Sequence, residues 1–245
     1  MHNWRLIVEK KPLPGEINMA IDYALLEAVA SHKSGPILRF YDWSNPTITT
    51  GYSQIKEEEA FLDRCQQDNI PVIRRITGGG AVFHEKEITY SLSLPLDNPL
   101  VPPQIINSYE FILNPIIDTF KEYSIPACFS PINDLKIDGL KISGNAQTRK
   151  KGVLLQHGTI LLDINQEKIF NYLKNFMKKN QLTCLKNFLG EKVVKNNFKI
   201  DFYEKIVNNF KKRYKINFIE CEVQKEEREQ ANILNKKFFS NPKWG

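Results

Sequence analysis

Apolar side chains recur at helical spacing through residues 16–30, EINMAIDYALLEAVA, and predict a helix there. The pattern then shortens. PILRFYDW (36–43) and PTITTGYS (46–53) are rich in β-branched and aromatic residues and are bounded by Pro, Asn and Gly, which predicts strands. EEEAFLDRCQQDN (57–69) returns to helical character, and PVIRRI (71–76) reads as a strand running into Gly78-Gly79-Gly80. AVFH (81–84) and ITYSLSLPL (88–96) are further strands, 104–124 is a helix, and Pro126 and Pro131 bracket a loop. NDLKIDGLKISGNAQ (133–147) predicts a hairpin turning at Asp138-Gly139, a pair that tolerates positive φ. VLLQHGTILLDI (153–164) is apolar enough for a central strand, and from Asn165 the pattern is mostly helical.

Strands outnumber helices over the first two thirds, and short turns join many of them. The expected fold class is therefore α+β, a mixed and largely antiparallel sheet flanked by helices. A doubly wound parallel sheet needs a helix between successive strands, and the chain between Pro71 and Pro95 is too short for that. The 245 residues suit one domain spanning 1–245, with a mainly helical part from about residue 166. Neither a run long enough to span a bilayer nor a secretory signal is present, and the four cysteines show no CxxC spacing. A cytoplasmic protein with free thiols and no metal cluster is the expectation. The net charge of +6 comes largely with lysines interleaved with asparagines in the C-terminal third. No nucleic-acid motif accompanies them, so a solvated basic surface is expected, with no nucleic-acid or membrane partner.

Three segments carry chemistry. In RRITGGGAVFH (74–84), glycines without side chains let the backbone approach a ligand, and Arg74 and Arg75 suit an anion. No GK[ST] follows, which excludes a P-loop, and the following strand excludes a dinucleotide fingerprint. On the glycines alone, a tight turn is an equal alternative. Lys141 lies on an apolar-flanked strand before Ser143-Gly144-Asn145-Ala146; it is either a charge for a phosphate or oxyanion, or an edge lysine facing water. His157, in Gln156-His157-Gly158-Thr159, is either a site residue or a satisfied core histidine.

Taken in order, RRITGGGAVFH, NDLKIDGLKISGNAQ and QHGT resemble the blocks of the biotin/lipoate protein ligase family, and Asn18-Met19-Ala20 and the closing FFSNPKW extend the likeness. The resemblance implies a biotin/lipoate ligase-like catalytic domain with an apolar acyl tunnel. It implies that Lys141 is the essential lysine. Arg75, Thr77, Gly78, Gly79, Gly80, Ala81 and His84 would line the acyl and phosphate site. Asn133 and Asp134 would hold the nucleotide end, and Ser143, Gly144, Ala146 and His157 the remaining wall. The implied activity is attachment of a lipoyl or octanoyl group to a lysine of lipoyl domains of 2-oxoacid dehydrogenases or of the glycine cleavage H protein. Such domains are expected to be acidic and to meet the basic surface.

Two chemistries use this scaffold. A lipoate-protein ligase makes lipoyl-AMP from lipoate, ATP and Mg²⁺, the metal lying near Asp134; an intact glycine triplet and Asn133-Asp134 favour it and make it the first expectation. An octanoyltransferase takes octanoate from acyl carrier protein onto a cysteine. Cys128, upstream of the lysine strand, and the EITYS after His84 favour that alternative, with a small buried hydrophobe as the bland reading of Cys128. At 245 residues the chain is expected to lack the extra C-terminal domain of long ligases, so that a separate accessory subunit supplies its role, or the chain is a transferase, or the single domain suffices. A biotin ligase lacks support in the glycine block, and a non-catalytic acyl-binding member lacks support in the retained Lys141.

Overall fold

The computed structural model describes residues 3–175, 181–195, 197–241 and 244. Parts of two sequence expectations, the helical stretch after 165 at 176–180 and 196 and the closing motif at 242 and 243, lie outside the described residues. In chain order the elements are β1 (Asn3–Val8), α1 (Gly15–Ala30), β2 (Ile37–Tyr41), β3 (Thr47–Thr50), α2 (Lys56–Glu59), α3 (Leu62–Gln67), β4 (Val72–Arg74), β5 (Val82–His84) and β6 (Glu87–Pro95). They continue with α4 (Ile105–Glu122), β7 (Cys128–Ser130), β8 (Asp134–Ile137), β9 (Leu140–Lys150), β10 (Val153–Leu161), α5 (Gln166–Tyr172), α6 (Lys186–Leu189), α7 (Phe198–Tyr214), β11 (Asn217–Glu220) and α8 (Lys225–Leu234).

Eight strands form one sheet in the order β11-β1-β2-β6-β10-β9-β8-β7, and β4-β3-β5 form a second, smaller sheet. The large sheet is antiparallel from β2 to β7 and parallel at β2-β1-β11. Its alternating side chains divide the core. Leu92, Leu94, Leu154, Ile160, Leu135 and Ile137 pack with α4 and α7 on one face. Val153 and Leu155 pack with α1 and α8 on the other. This is the mixed, largely antiparallel sheet flanked by helices that the sequence pattern predicts. No helix of the described residues is long and apolar enough to cross a membrane.

Three strands escape the pattern reading. NWRLIV carries Arg5 in its middle, but Glu227 and Cys221 bond that guanidinium, so a charged position is accommodated inside the sheet region. Cys128–Ser130 is a three-residue edge strand in the stretch expected to be a loop. Asn217–Glu220 is an edge strand within the part read as helical. The helix expected over 57–69 is broken at Ala60-Phe61, where an extended residue bridges Leu173 and Phe61 N–H donates to Tyr172 O (2.8 Å). The hairpin turn is as expected, with φ of 50° at Asp138 and 81° at Gly139.

Candidate active site

The second face of the large sheet is open between α1 and the small sheet, and a cavity of about 360 Å³ lies there. Its floor follows from strand register. Tyr41, Thr89, Thr159, Gly144 and Asp134 pair in one lateral row across β2-β6-β10-β9-β8, and Ser91, His157 and Ala146 form the next row. Directly paired residues project to the same side, so each row presents its side chains upward together. The roof is the small sheet and the glycine loop: Thr49, Arg75, Gly79, Gly80 and Phe83. Met19 and Trp43 close the side toward α1, and Leu161, Ile164, Ile169 and Leu182 make an apolar flank.

Lys141 is not an edge lysine, because Lys136 of β8 pairs with it on one side and Leu182 bridges it on the other. Its ammonium lies 2.7 Å from Asp134 Oδ1 at the cavity wall. A bulge puts it there. Leu135 pairs with Ser143 but Lys136 pairs with Lys141, so Ile142 is an extra residue on β9. Lys141 and Gly144 therefore share the cavity face. A Cβ on Gly144 would stand 2.9 Å from Lys141 Cε, so the glycine gives the lysine its path.

Arg75 is only 4% exposed and, among the described residues, has no carboxylate against its guanidinium. Nε–H donates to Thr77 Oγ1 (3.1 Å), Nη1 to Thr49 O (3.1 Å) and Thr49 Oγ1 (3.3 Å), and Nη2 to Gly78 O (2.6 Å) and Gly80 O (2.8 Å). Five N–H donors meet five neutral oxygens, which satisfies the hydrogen bonding and leaves the charge uncompensated. Burial accordingly lowers the Arg75 pKa to about 10. A fixed cation beside an apolar cavity suits a phosphate or a developing oxyanion. Gly79 has φ +92°, and a Cβ there would stand 2.9 Å from Arg75 Nη2. The triplet is thus more than a turn: it folds onto the arginine.

His84 and His157 both line the cavity and are bonded through both ring nitrogens. Behind His157 lies Asp22, which also accepts from Arg39 (2.9 Å), Tyr41 (2.9 Å) and Ser91 (2.7 Å). Burial opposes ionisation of Asp22, but His157, Arg39 and Ser91 together hold its carboxyl below the usual range. Burial pushes the His157 imidazole below its ordinary value, against the pull of Asp22.

The structure brings Arg75, Gly79, Gly80, Ala81, His84, Asn133, Lys141, Gly144, Ala146 and His157 to one cavity. Thr77 and Asp134 stand directly behind this wall, bonded to Arg75 and paired with Lys141. Gly78 contributes its carbonyl to Arg75. Ser143 is fully buried off the cavity, where it accepts from Asn145 Nδ2 (3.3 Å); paired with Leu135, it takes the face opposite Gly144 and Ala146, which corrects its placement in the pocket wall. Cys128 is exposed, unlike buried Cys65 and Cys184, so it is not a buried hydrophobe. It does not line the cavity, but its register partner is Lys136, whose partner is Lys141, and the three lie in one row on the cavity face. Sequence reasoning missed Tyr41, Trp43 and Thr49, which look like ordinary core and strand residues and reach the cavity only through long-range pairing; Met19, part of the likeness at 18–20 but not assigned to the site, lines it from α1.

Residues 14–210 match the family described as lipoyl protein ligase A/B catalytic domain. The chain belongs to that family. It is 33% identical to "Octanoyltransferase LipM" of Clostridioides difficile (strain 630), covering 97% of both chains. It is 30% identical to the protein of the same name from Carboxydothermus hydrogenoformans, covering all of this chain and 98% of the relative. Among solved structures it resembles a lipoate-protein ligase A bound with ATP, with a TM-score of 0.86 at 24% identity over 100% of this chain and 98% of that one. It also resembles a lipoate protein ligase of Thermoplasma acidophilum with bound lipoic acid, TM-score 0.84 at 24% identity over 100% and 99%. At that identity these two establish the fold.

Proposed function

We propose that the protein is an octanoyltransferase: it accepts an octanoyl group from an acyl-carrier-protein thioester onto Cys128 and passes it to a lysine of a lipoyl domain. The observation that carries this reading is the row Cys128–Lys136–Lys141, in which an exposed thiol lies on the cavity face two strands from Lys141. Relatives of full length that are named octanoyltransferases support it and move the preference away from the ATP-dependent ligase. The Cys128 thiolate attacks the donor's carbonyl carbon, and collapse of the oxyanion expels the carrier's thiolate. The target amine then attacks the enzyme thioester, loses its proton and expels the Cys128 thiolate. Lys141 and Arg75 provide positive charge for both oxyanions, and the apolar flank holds the acyl chain.

Ligation through lipoyl-AMP is the second reading. Asn133 at the cavity and the adjacent Asp134–Lys141 pair favour it, because they suit the nucleotide end. In that case ATP and Mg²⁺ are substrates, and the metal is held mainly by the phosphates, since no group of three or more His, Cys, Asp or Glu suited to a metal occurs among the described residues. Intact-mass spectrometry after mixing with octanoyl-carrier protein without ATP separates the two. The expected result is an octanoyl adduct on wild type, chased onto a lipoyl domain and lost in Cys128→Ser. No adduct, with lipoate and ATP sustaining transfer by the mutant, selects the ligase.

A further inference from the structure

Arg75 ends two hydrogen-bonded branches of the same make-up. On one, Thr77 Oγ1 accepts from Nε–H (3.1 Å) and meets His157 Nε2 (2.6 Å), and His157 Nδ1 faces Asp22 Oδ2 (3.4 Å). On the other, Thr49 Oγ1 accepts from Nη1 (3.3 Å) and meets His84 Nε2 (2.8 Å), and His84 Nδ1 faces Glu87 Oε1 (2.7 Å).

A hydroxyl has one proton to give. Each threonine oxygen already accepts from Arg75, and among the described residues the partner for its own proton is the histidine Nε2. Each Nε2 is therefore an acceptor, and the ring proton sits on Nδ1 and points to the carboxylate. The direction of donation is the same on both branches: from guanidinium to hydroxyl to imidazole. The opposite tautomer would aim two donors at one hydroxyl and turn its proton toward no acceptor.

What the branches hold is the orientation of Arg75, and Nη2 of that arginine holds Gly78 O and Gly80 O. In a trans peptide the C=O and N–H point opposite ways. Drawing those two carbonyls toward the guanidinium therefore fixes where the Gly79 and Ala81 N–H groups point. Both residues line the cavity. Glycines bring no side-chain anchors of their own, so these bonds join the Tyr52 N–H to Thr77 O bond (2.8 Å) and the close packing of Gly79 O on Gly51 in selecting one conformation from many.

We propose that Thr49 and His84, matched by Thr77 and His157, are positioning residues for acyl transfer: neutral, Nδ1-protonated imidazoles lock Arg75 through the hydroxyls, and Arg75 sets the glycine loop that receives the acyl carbonyl. The kinetic part rests on the acyl-transfer reading; the protonation part does not.

Two measurements test it. Long-range ¹H–¹⁵N spectra of the full-length wild-type protein at neutral pH show His84 and His157 as Nδ1–H tautomers, and an Nε2–H tautomer at either one overturns the assignment whatever the enzyme acylates. Thr49→Val keeps the shape and removes the hydroxyl, and should lower kcat on the order of tenfold or more with KM for the donor within about twofold, while Thr49→Ser restores kcat. Wild-type kcat in a folded Thr49→Val, or a loss in KM alone, or a loss that serine does not repair, overturns the positioning role. Should Thr49→Val fail to fold, the wild-type spectra and the kcat of Thr49→Ser decide.

Discussion

Lys141 Nζ and Asp134 Oδ1 stand 2.7 Å apart across the bulged β8–β9 pair, each about a quarter or less exposed. The carboxylate restrains the ammonium at the cavity wall without burying it. Lys141→Ala should keep the fold and reduce transfer to a lipoyl domain by on the order of 10²–10³ or more, the value of one oxyanion donor. Asp134→Asn keeps the shape and removes the restraint, and should cost less than Lys141→Ala. Equal turnover in Lys141→Ala and wild type, with matching circular dichroism, would remove the lysine from the mechanism.

The glycine loop gives a stability contrast. Gly79→Ala must adopt φ +92° with its Cβ 2.9 Å from Arg75 Nη2, whereas a Cβ at Gly78 meets nothing within 4 Å. Gly79→Ala should destabilise the protein by about 1–3 kcal/mol and Gly78→Ala by clearly less. Urea unfolding of the two mutants side by side provides the comparison; equal midpoints would mean that the loop is not pinned to the arginine.

His157 gives stability a pH dependence with a definite sign. Its pKa is lowered by burial from 6.5, so the unfolded chain binds the proton more readily than the folded one. The contribution is complete above the unfolded value and falls as pH drops below 6.5 toward the lower folded value. Thermal melts from about pH 7.5 to 5 should show Tm declining in wild type, with a shallower slope in His157→Gln. Identical slopes would place the acid sensitivity elsewhere.

Trp43 bounds the cavity with its ring stacked on His84 at 4.0 Å and its Nε1–H shared between Glu87 Oε1 (3.0 Å) and Thr89 Oγ1 (2.9 Å). Trp43→Ala should cost about 3–5 kcal/mol and leave space beside the acyl chain. Competition between octanoyl and longer acyl donors should then shift toward the longer chain. An unchanged preference would mean that the chain does not run toward Trp43.

The chemistry-bearing segments were readable because each is contiguous: Arg75 precedes the triplet by three residues, and Lys141 and Gly144 lie on one strand. Ser143 was placed in the pocket wall by the family likeness, which carries positions but not the face each one takes; paired with Leu135, it points away from the face of Gly144. What alternation alone hides is that Lys141 shares the face of Gly144, because Ile142 is an inserted residue and a bulge reverses the parity beyond it. Cys128 was noticed, but its strand was not, since three residues between prolines carry no period. Tyr41, Thr49 and Trp43 left no local signal at all. Their place depends on which strands pair, and pairing is decided by the whole core. β1 and β11 were missed for a related reason: a parallel pair has no turn to announce it.

That last pairing bears on how the chain is made. Trp4, completely buried, lies in register with Phe218 and edge-to-face against it, and its strand is covered on one side only by β11. During synthesis β1 leaves the ribosome some two hundred residues before its neighbour. The catalytic face, assembled from β2 to β10, can therefore be complete while the far margin of the sheet still presents unpaired backbone. Such a margin is a template for another nascent chain. Pairing with β11 covers that margin and leaves in its place a shorter one, four residues against the six of β1.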